Sequence, residues 1–183
     1  MSSNVPAPLS LKEAKSKDLV PCLGETPLHS LHGPRREAEV FANNHLAQLS
    51  RSSHALVLGL GFGYHLEEIA KILRLKHKSA HIGVLEPRAD LVRLWSSYRN
   101  LPAAIQVFTG APGADPWESR DLAAFLLEKP VVIIHPTSFG LHKTYFEAFL
   151  RRRAPAHVSD WRTGPSVDAP NWLRAFQEAK HAP

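Results

Sequence analysis

The chain has 183 residues, of which 44% are hydrophobic and 21% are charged, as in a folded, water-soluble domain. Its longest apolar run, Ala55 to Leu60, is too short to cross a bilayer, and no signal peptide is recognisable, so we expect a cytoplasmic protein without a membrane segment. The formal charge of +5 is scattered without interleaved aromatic residues, so nucleic acid is not an expected partner, and the single Cys22 excludes an internal disulfide.

The first 50 residues are predicted to form an arm, a hairpin and a lead-in helix. Prolines favour a loose arm that ends in a short helical piece near Leu11 to Lys17. Two extended stretches, Leu19 to Leu23 and Thr26 to Ser30, flank a two-residue turn that starts with glycine, as in a β-hairpin. Pro21 is expected to confine the first of these strands to a sheet edge. A helix with an apolar stripe is then expected from Pro34 to about Ser50.

From residue 51 onward, predicted strands alternate with predicted helices. The strands are expected at His54 to Leu58, Ile82 to Leu85, Ile105 to Thr109, Val131 to Ile134 and His157 to Trp161. The later helices are expected at Trp117 to Leu127, Leu141 to Arg153 and Asn171 to Lys180, with a loop over Gly110 to Pro116. This alternation predicts an α/β, Rossmann-like three-layer sandwich with a mostly parallel sheet of order 3-2-1-4-5. We therefore expect an N-terminal segment of residues 1–50 and a Rossmann-like domain of residues 51–183.

A ligand site is predicted where the first two strands end. Three glycines that allow a sharp turn and close backbone approach follow the first strand, namely Gly59, Gly61 and Gly63. Glu86 follows the second strand, where an acidic side chain can hold the ribose of an adenosine-containing ligand. A nicotinamide cofactor is disfavoured, because its glycine pattern would need glycine at Tyr64. The alternative is a tight turn with a capping carboxylate in a domain without a ligand.

Two consequences of this site follow from the same residues. If the ligand lies against the loop, replacing Gly61 by valine should block binding and spare the fold.

His135 follows the fourth strand and is the weak candidate for a catalytic general base, although a structural, hydrogen-bonded histidine is the favoured alternative. His29, His32 and His65 are further candidates for a general base or a metal ligand, but no pair of these histidines has the spacing of a metal-binding helix. No metal is therefore expected.

The run Val57 to Gly63, together with Leu85-Glu86-Pro87, resembles the first two motifs of class I S-adenosylmethionine-dependent methyltransferases. This resemblance implies a methyltransferase-type Rossmann-like fold with S-adenosylmethionine as the cofactor. It also implies that the glycine loop approaches the methionine part of the cofactor and that Glu86 holds the ribose. The reaction and the acceptor stay open.

A second resemblance spans roughly Leu19 to Arg153. The stretches 28–39, 59–66, 85–87 and 134–136 are similar to the N-terminal region of the motility accessory factor family. Its members are proposed flagellin glycosyltransferases that transfer nonulosonic acids, and their transferase region follows this N-terminal domain. The resemblance implies an alternative function, a noncatalytic module that docks to a protein partner, to a separate transferase or to a second copy of itself. Whether the chain is an enzyme is left open.

Overall fold

The computed structural model describes residues 7–99, 104–109 and 119–151. Its strands are β1 (Leu9–Glu13), β2 (Leu19–Leu23), β3 (Thr26–Pro27), β4 (His54–Leu58), β5 (His81–Leu85), β6 (Ile105–Phe108) and β7 (Val131–Ile134). Its helices are α1 (Pro34–Asn44), α2 (Leu46–Leu49), α3 (Tyr64–Lys76), α4 (Ala89–Tyr98), α5 (Arg120–Leu127), α6 (Pro136–Leu141) and α7 (Lys143–Arg151). The predicted strand at 157–161, the predicted helix at 171–180 and the predicted loop at 110–116 lie outside the described residues.

A four-stranded parallel sheet is the centre of the fold. Its strands lie in the order β6-β5-β4-β7, and each neighbouring pair runs in parallel. In the numbering of the predicted strands this order is 3-2-1-4, so the part of the predicted order that falls on described residues is confirmed. The result is a mixed α/β fold, consistent with a Rossmann-like sheet, in which the strand order reverses beside β4.

Helices cover both faces of this sheet. Val57 belongs to a core that includes buried side chains of α1, α3 and α4. Leu56 and Leu58 belong to a second core with side chains of α5 and α7. Because both faces are covered, the central strands are continuous apolar runs rather than alternating ones. No helix among the described residues is long and apolar enough to span a membrane.

The N-terminal segment forms a separate antiparallel sheet of order β1-β2-β3. The predicted helical piece near Leu11 to Lys17 is wrong, because β1 occupies Leu9–Glu13. Leu9 and Leu11 alternate with exposed residues and pack against the core of the domain, and this period of two suits a strand. The helical prediction failed because two leucines were too few to reveal the period before their packing partners were known.

The expectation that Pro21 lies on an edge strand is also wrong, since β2 is the central strand of this sheet. The β2-β3 ladder pairs only Cys22 with Pro27 and Leu23 with Thr26. Beyond it, the Pro21 carbonyl accepts a hydrogen bond from Leu28 N–H at 2.8 Å. A residue's N–H and C=O lie on the same side of a strand, so an N–H at position 21 would point to the same side as the Pro21 carbonyl. The β2-β3 ladder has already ended at Cys22, so the N–H that proline lacks is not needed for a hydrogen bond of this ladder.

Two helical predictions are refined. The lead-in helix is divided at His45 into α1 and α2. The buried Ala38, Ala42 and Leu49 belong to the core that also contains Val57. The helix predicted from Leu141 begins at Lys143 as α7, and it is preceded by α6, which begins at Pro136 and is separated from the end of β7 by one residue. Proline in the first turn of a helix was the available signal for this earlier start.

Gly83 offers a test of the packing of the central sheet. A Cβ at this position in β5 would lie 2.7 Å from Phe125 Cε1 and 2.8 Å from Phe108 Cε2. We expect Gly83→Ala to lower the free energy of unfolding by about 1–3 kcal/mol through overpacking. Gly140→Ala in α6 is the matched control, because nothing lies within 4 Å of its Cβ position. Urea denaturation that finds both variants equally stable would contradict this packing.

Candidate functional site

The turn between β4 and α3 is the glycine loop predicted from the sequence. Its three glycines all have positive φ angles, of 105° at Gly59, 53° at Gly61 and 81° at Gly63. Residues with a Cβ rarely adopt such angles, so each glycine is needed for the course of the backbone. Gly63 then lies directly before the first residue of α3.

Side chains of the protein itself occupy the space beside these glycines. A Cβ at Gly59 would lie 2.3 Å from Ser138 Cβ, and one at Gly61 would lie 2.4 Å from His29 Nε2. At Gly63 the nearest atom would be Trp95 Nε1, at 2.6 Å. The expectation that Gly61→Val spares the fold is therefore wrong, since valine would collide with His29 and strain the backbone.

The amide groups of the loop also have partners within the chain. Leu60 N–H donates to Glu86 Oε2 at 2.9 Å, and Phe62 N–H donates to His29 Nε2 at 2.8 Å. Gly63 N–H donates to the Leu60 carbonyl at 2.9 Å. The loop is thus held by one carboxylate from the sheet and one imidazole from the N-terminal segment.

Glu86, directly after β5, is fully buried. Its second oxygen, Oε1, accepts a hydrogen bond from Arg88 N–H at 2.9 Å. Burial raises the pKa of Glu86 to about 7, although both backbone hydrogen bonds and the Arg88 charge act in the opposite direction. A carboxylate offers about four acceptor positions, so these two bonds leave it capacity for a further donor.

Several buried polar side-chain atoms of the described residues lack a hydrogen-bond partner. The buried, unpartnered side-chain atoms of the described residues are Gln48 Oε1, His65 Nδ1, Trp95 Nε1, His142 Nε2 and Tyr145 OH. Burial, and then the charge of Glu86, raises the pKa of Tyr145. Burial, and then the charge of Arg88, lowers the pKa of His142. Buried polar groups are normally hydrogen-bonded, so these unpartnered atoms are unusual, and among them Tyr145 OH is linked to Glu86 by its charge.

Three buried histidines meet on the other side of the loop. His29 precedes α1, His65 is in the first turn of α3 and His135 directly follows β7. The ring centroids of His65 and His135 are 4.4 Å apart, and His29 lies 5.5 and 4.9 Å from them. The exposed His32 is not part of this histidine cluster. Sequence reasoning missed the cluster because its members come from three distant segments and share no local spacing.

Burial determines the charge of this histidine cluster. It lowers the pKa of His65 to about 3 and lowers the pKa of His135 well below the ordinary value, and the neighbouring rings add to both shifts. His135 Nδ1 lies 2.8 Å from Ser138 Oγ in the first turn of α6. His135 thus makes the hydrogen bond that its structural interpretation requires, while its role as a general base stays a prediction.

No family model and no curated protein matches the sequence. Among solved structures, the chain is similar to the crystal structure of MNMC2 from Aquifex Aeolicus, with a TM-score of 0.39 and 11% sequence identity. That similarity covers 64% of this chain and 46% of the other, so the match spans less than half of the Aquifex protein. The resemblance to the motility accessory factors is not supported by these comparisons.

The raised pKa of Glu86 predicts a pH-dependent stability. Between its ordinary value of 4.5 and about 7, the folded protein holds a proton that the unfolded chain releases. The contribution of Glu86 to stability therefore falls as pH rises through this range, by about 3 kcal/mol in total. In Glu86→Gln this titration is absent, whereas the buried histidines titrate equally in both proteins. Urea denaturation should show the stability advantage of the wild type shrinking by that amount from pH 4.5 to 7; a constant difference would contradict the burial of the ionised group.

Proposed function

We propose that this chain is a Rossmann-like, methyltransferase-type domain that binds an adenosine-containing ligand such as S-adenosylmethionine. The supporting observation is the buried Glu86, which has acceptor capacity left and whose charge acts on the unpartnered hydroxyl of Tyr145. In this proposal the free acceptor positions of Glu86 take the ribose hydroxyls of the ligand.

The position of these groups in the sheet supports a ligand site. In open α/β sheets, ligands bind outside the carboxyl ends of the strands, where the strand order reverses. Here Gly59 follows β4, Glu86 follows β5 and His135 follows β7, so all three lie at that end of adjacent strands. Glu86 and the glycine loop are therefore at the end of the sheet where this type of fold takes its ligands.

The chemistry of the groups supports a ligand rich in hydroxyl groups. Glu86 has acceptor capacity left, and the unpartnered Tyr145 OH, on which the charge of Glu86 acts, can donate or accept. A ribose presents two neighbouring hydroxyls, each of which can donate and accept. A carboxylate with a neutral hydroxyl near it complements such a pair without placing a second charge in the buried site.

In this proposal the glycine loop has a different role from the direct ligand contact that its sequence suggested. His29 fills the space beside Gly61, so we expect the ligand on the Glu86 side of the loop. Gly59, Gly61 and Gly63 bring Leu60 N–H onto Glu86 and allow Trp95 to approach the backbone, and they act on the ligand through these neighbours. The proposal concerns binding; the methyl acceptor and any transfer reaction are outside it.

Thermal melting and calorimetry with S-adenosylmethionine, S-adenosylhomocysteine and adenosine test this function. A ligand at 100 times its Kd stabilises the folded state by about 2.7 kcal/mol. Tyr145→Phe removes only a hydroxyl that has no partner in the protein, so we expect a folded variant with roughly threefold to tenfold weaker binding. Tyr98→Phe, at an exposed position in α4, is the matched control and should bind like the wild type. The absence of any calorimetric signal, or equal affinity in both variants, would contradict the proposal.

The alternative, a noncatalytic docking module, receives less support from the packing. It predicts an apolar surface around Leu28 to Leu49, but Leu28, Ala38 and Leu49 lie in the core of the domain. In this segment Val40 and Leu46 are the exposed large hydrophobic side chains, at 54% and 42%. Docking to a protein partner or to a second copy stays a prediction, which pull-down and sedimentation experiments can test.

A further inference from the structure

We propose that His29, His65 and His135 form a binding site for a zinc-type transition-metal ion, with one ring nitrogen from each histidine as a ligand. One nitrogen of each ring lies within 4.8 Å of the corresponding nitrogens of the other two. All three residues are buried. Imidazole nitrogen is a preferred ligand of zinc, copper, nickel and iron.

The outer contacts of the histidine cluster match those of metal-binding histidines. His29 Nδ1 lies 3.4 Å from Glu37 Oε2, and His65 Nε2 lies 3.2 Å from the Gly59 carbonyl. His135 Nδ1 lies 2.8 Å from Ser138 Oγ. Metal-binding histidines almost always use the second ring nitrogen to contact an oxygen, which fixes the ring and leaves the first nitrogen for the ion. Each histidine of the cluster has such an oxygen.

The nitrogen left over on His65 provides independent support. His65 Nδ1 is buried and has no hydrogen-bond partner, while the other nitrogen of the same ring is engaged by Gly59. A buried nitrogen lone pair without a donor is unusual in folded proteins. A metal ion is a partner that three converging imidazoles can hold and that would satisfy this nitrogen.

Ion binding requires small movements in the histidine cluster. Zinc–nitrogen distances of about 2.0–2.1 Å place tetrahedral ligand atoms roughly 3.4 Å apart, so the widest nitrogen separation must shorten. The rings of His65 and His135 are stacked with an interplanar angle of 12°. Because a nitrogen lone pair lies in its ring plane, one of these rings must turn. The ion would also displace Phe62 N–H from His29 Nε2, so the glycine loop must shift until this amide has another acceptor.

Three neutral nitrogen ligands would leave a fourth position of a tetrahedral ion open. Sites with three protein ligands and a water molecule are typical of reactive zinc, whereas structural zinc is usually held by four protein ligands. Glu37 places a carboxylate behind His29 and would offset part of the charge of the ion. The site would therefore accept water or a small anion as the fourth ligand.

Calorimetric titration of chelator-treated protein with Zn²⁺ tests this site, and Co²⁺ absorption reports the coordination geometry. We expect one Zn²⁺ per chain, and a tetrahedral Co²⁺ spectrum. His65→Asn should abolish this binding, with circular dichroism as the check on its fold. Glu37→Gln changes a half-exposed outer residue and should fold normally while weakening Zn²⁺ binding by about 10-fold to 100-fold.

His81→Asn is the matched control, because the His54 and His81 rings form another close pair, 5.1 Å apart, at the amino end of the sheet. It should bind Zn²⁺ like the wild type. The absence of saturable binding, unchanged affinity in Glu37→Gln, or loss of binding in His81→Asn would each overturn the proposal. No adenosine compound is present in this experiment, so its outcome is independent of the proposed function.

Discussion

The hydrogen bonds that hold the glycine loop are the constraint on which the rest of the site depends. A turn with three positive φ angles exposes backbone N–H groups that no helix or strand can pair, and buried N–H groups must find partners. Two of these partners are His29, which precedes the loop in the sequence, and Glu86, which follows it. The observed course of the loop therefore depends on contacts both with Glu86 at the end of β5 and with the N-terminal segment.

The N-terminal segment is accordingly part of the support of the loop. Tyr64 OH, at the start of α3, donates to the Leu19 carbonyl at 2.7 Å. Arg35 of α1 lies 2.8 Å from Asp18 and 3.5 Å from Glu67 of α3. Such exposed ion pairs contribute little free energy individually, so the shared apolar core does most of the stabilising. The ion pairs and the tyrosine hydrogen bond set the position of α1 against α3, and with it the position of His29.

The loop separates two environments of different electrostatic character. On one side lies Glu86, a buried carboxylate whose charge acts on the unpartnered Tyr145 hydroxyl. On the other side lie three imidazoles that burial keeps neutral, each with an oxygen behind it. The first environment suits a ligand with hydroxyl groups, and the second suits a cation. In the two proposals, one short turn thus supports two different kinds of binding chemistry.

The sequence alone was sufficient to predict the four described strands of the parallel sheet, their order, the glycine turn and the place of Glu86, because local periodicity and backbone permissiveness decide these features. It did not reveal β1 or the start of α6, where short signals compete with neighbouring propensities. Only the tertiary structure decided that His29 fills the space beside Gly61, that Glu86 is enclosed and that His29 meets His65 and His135. Those contacts join segments far apart in the chain, and no local pattern encodes which side chains will meet once the sheet and its helices have packed.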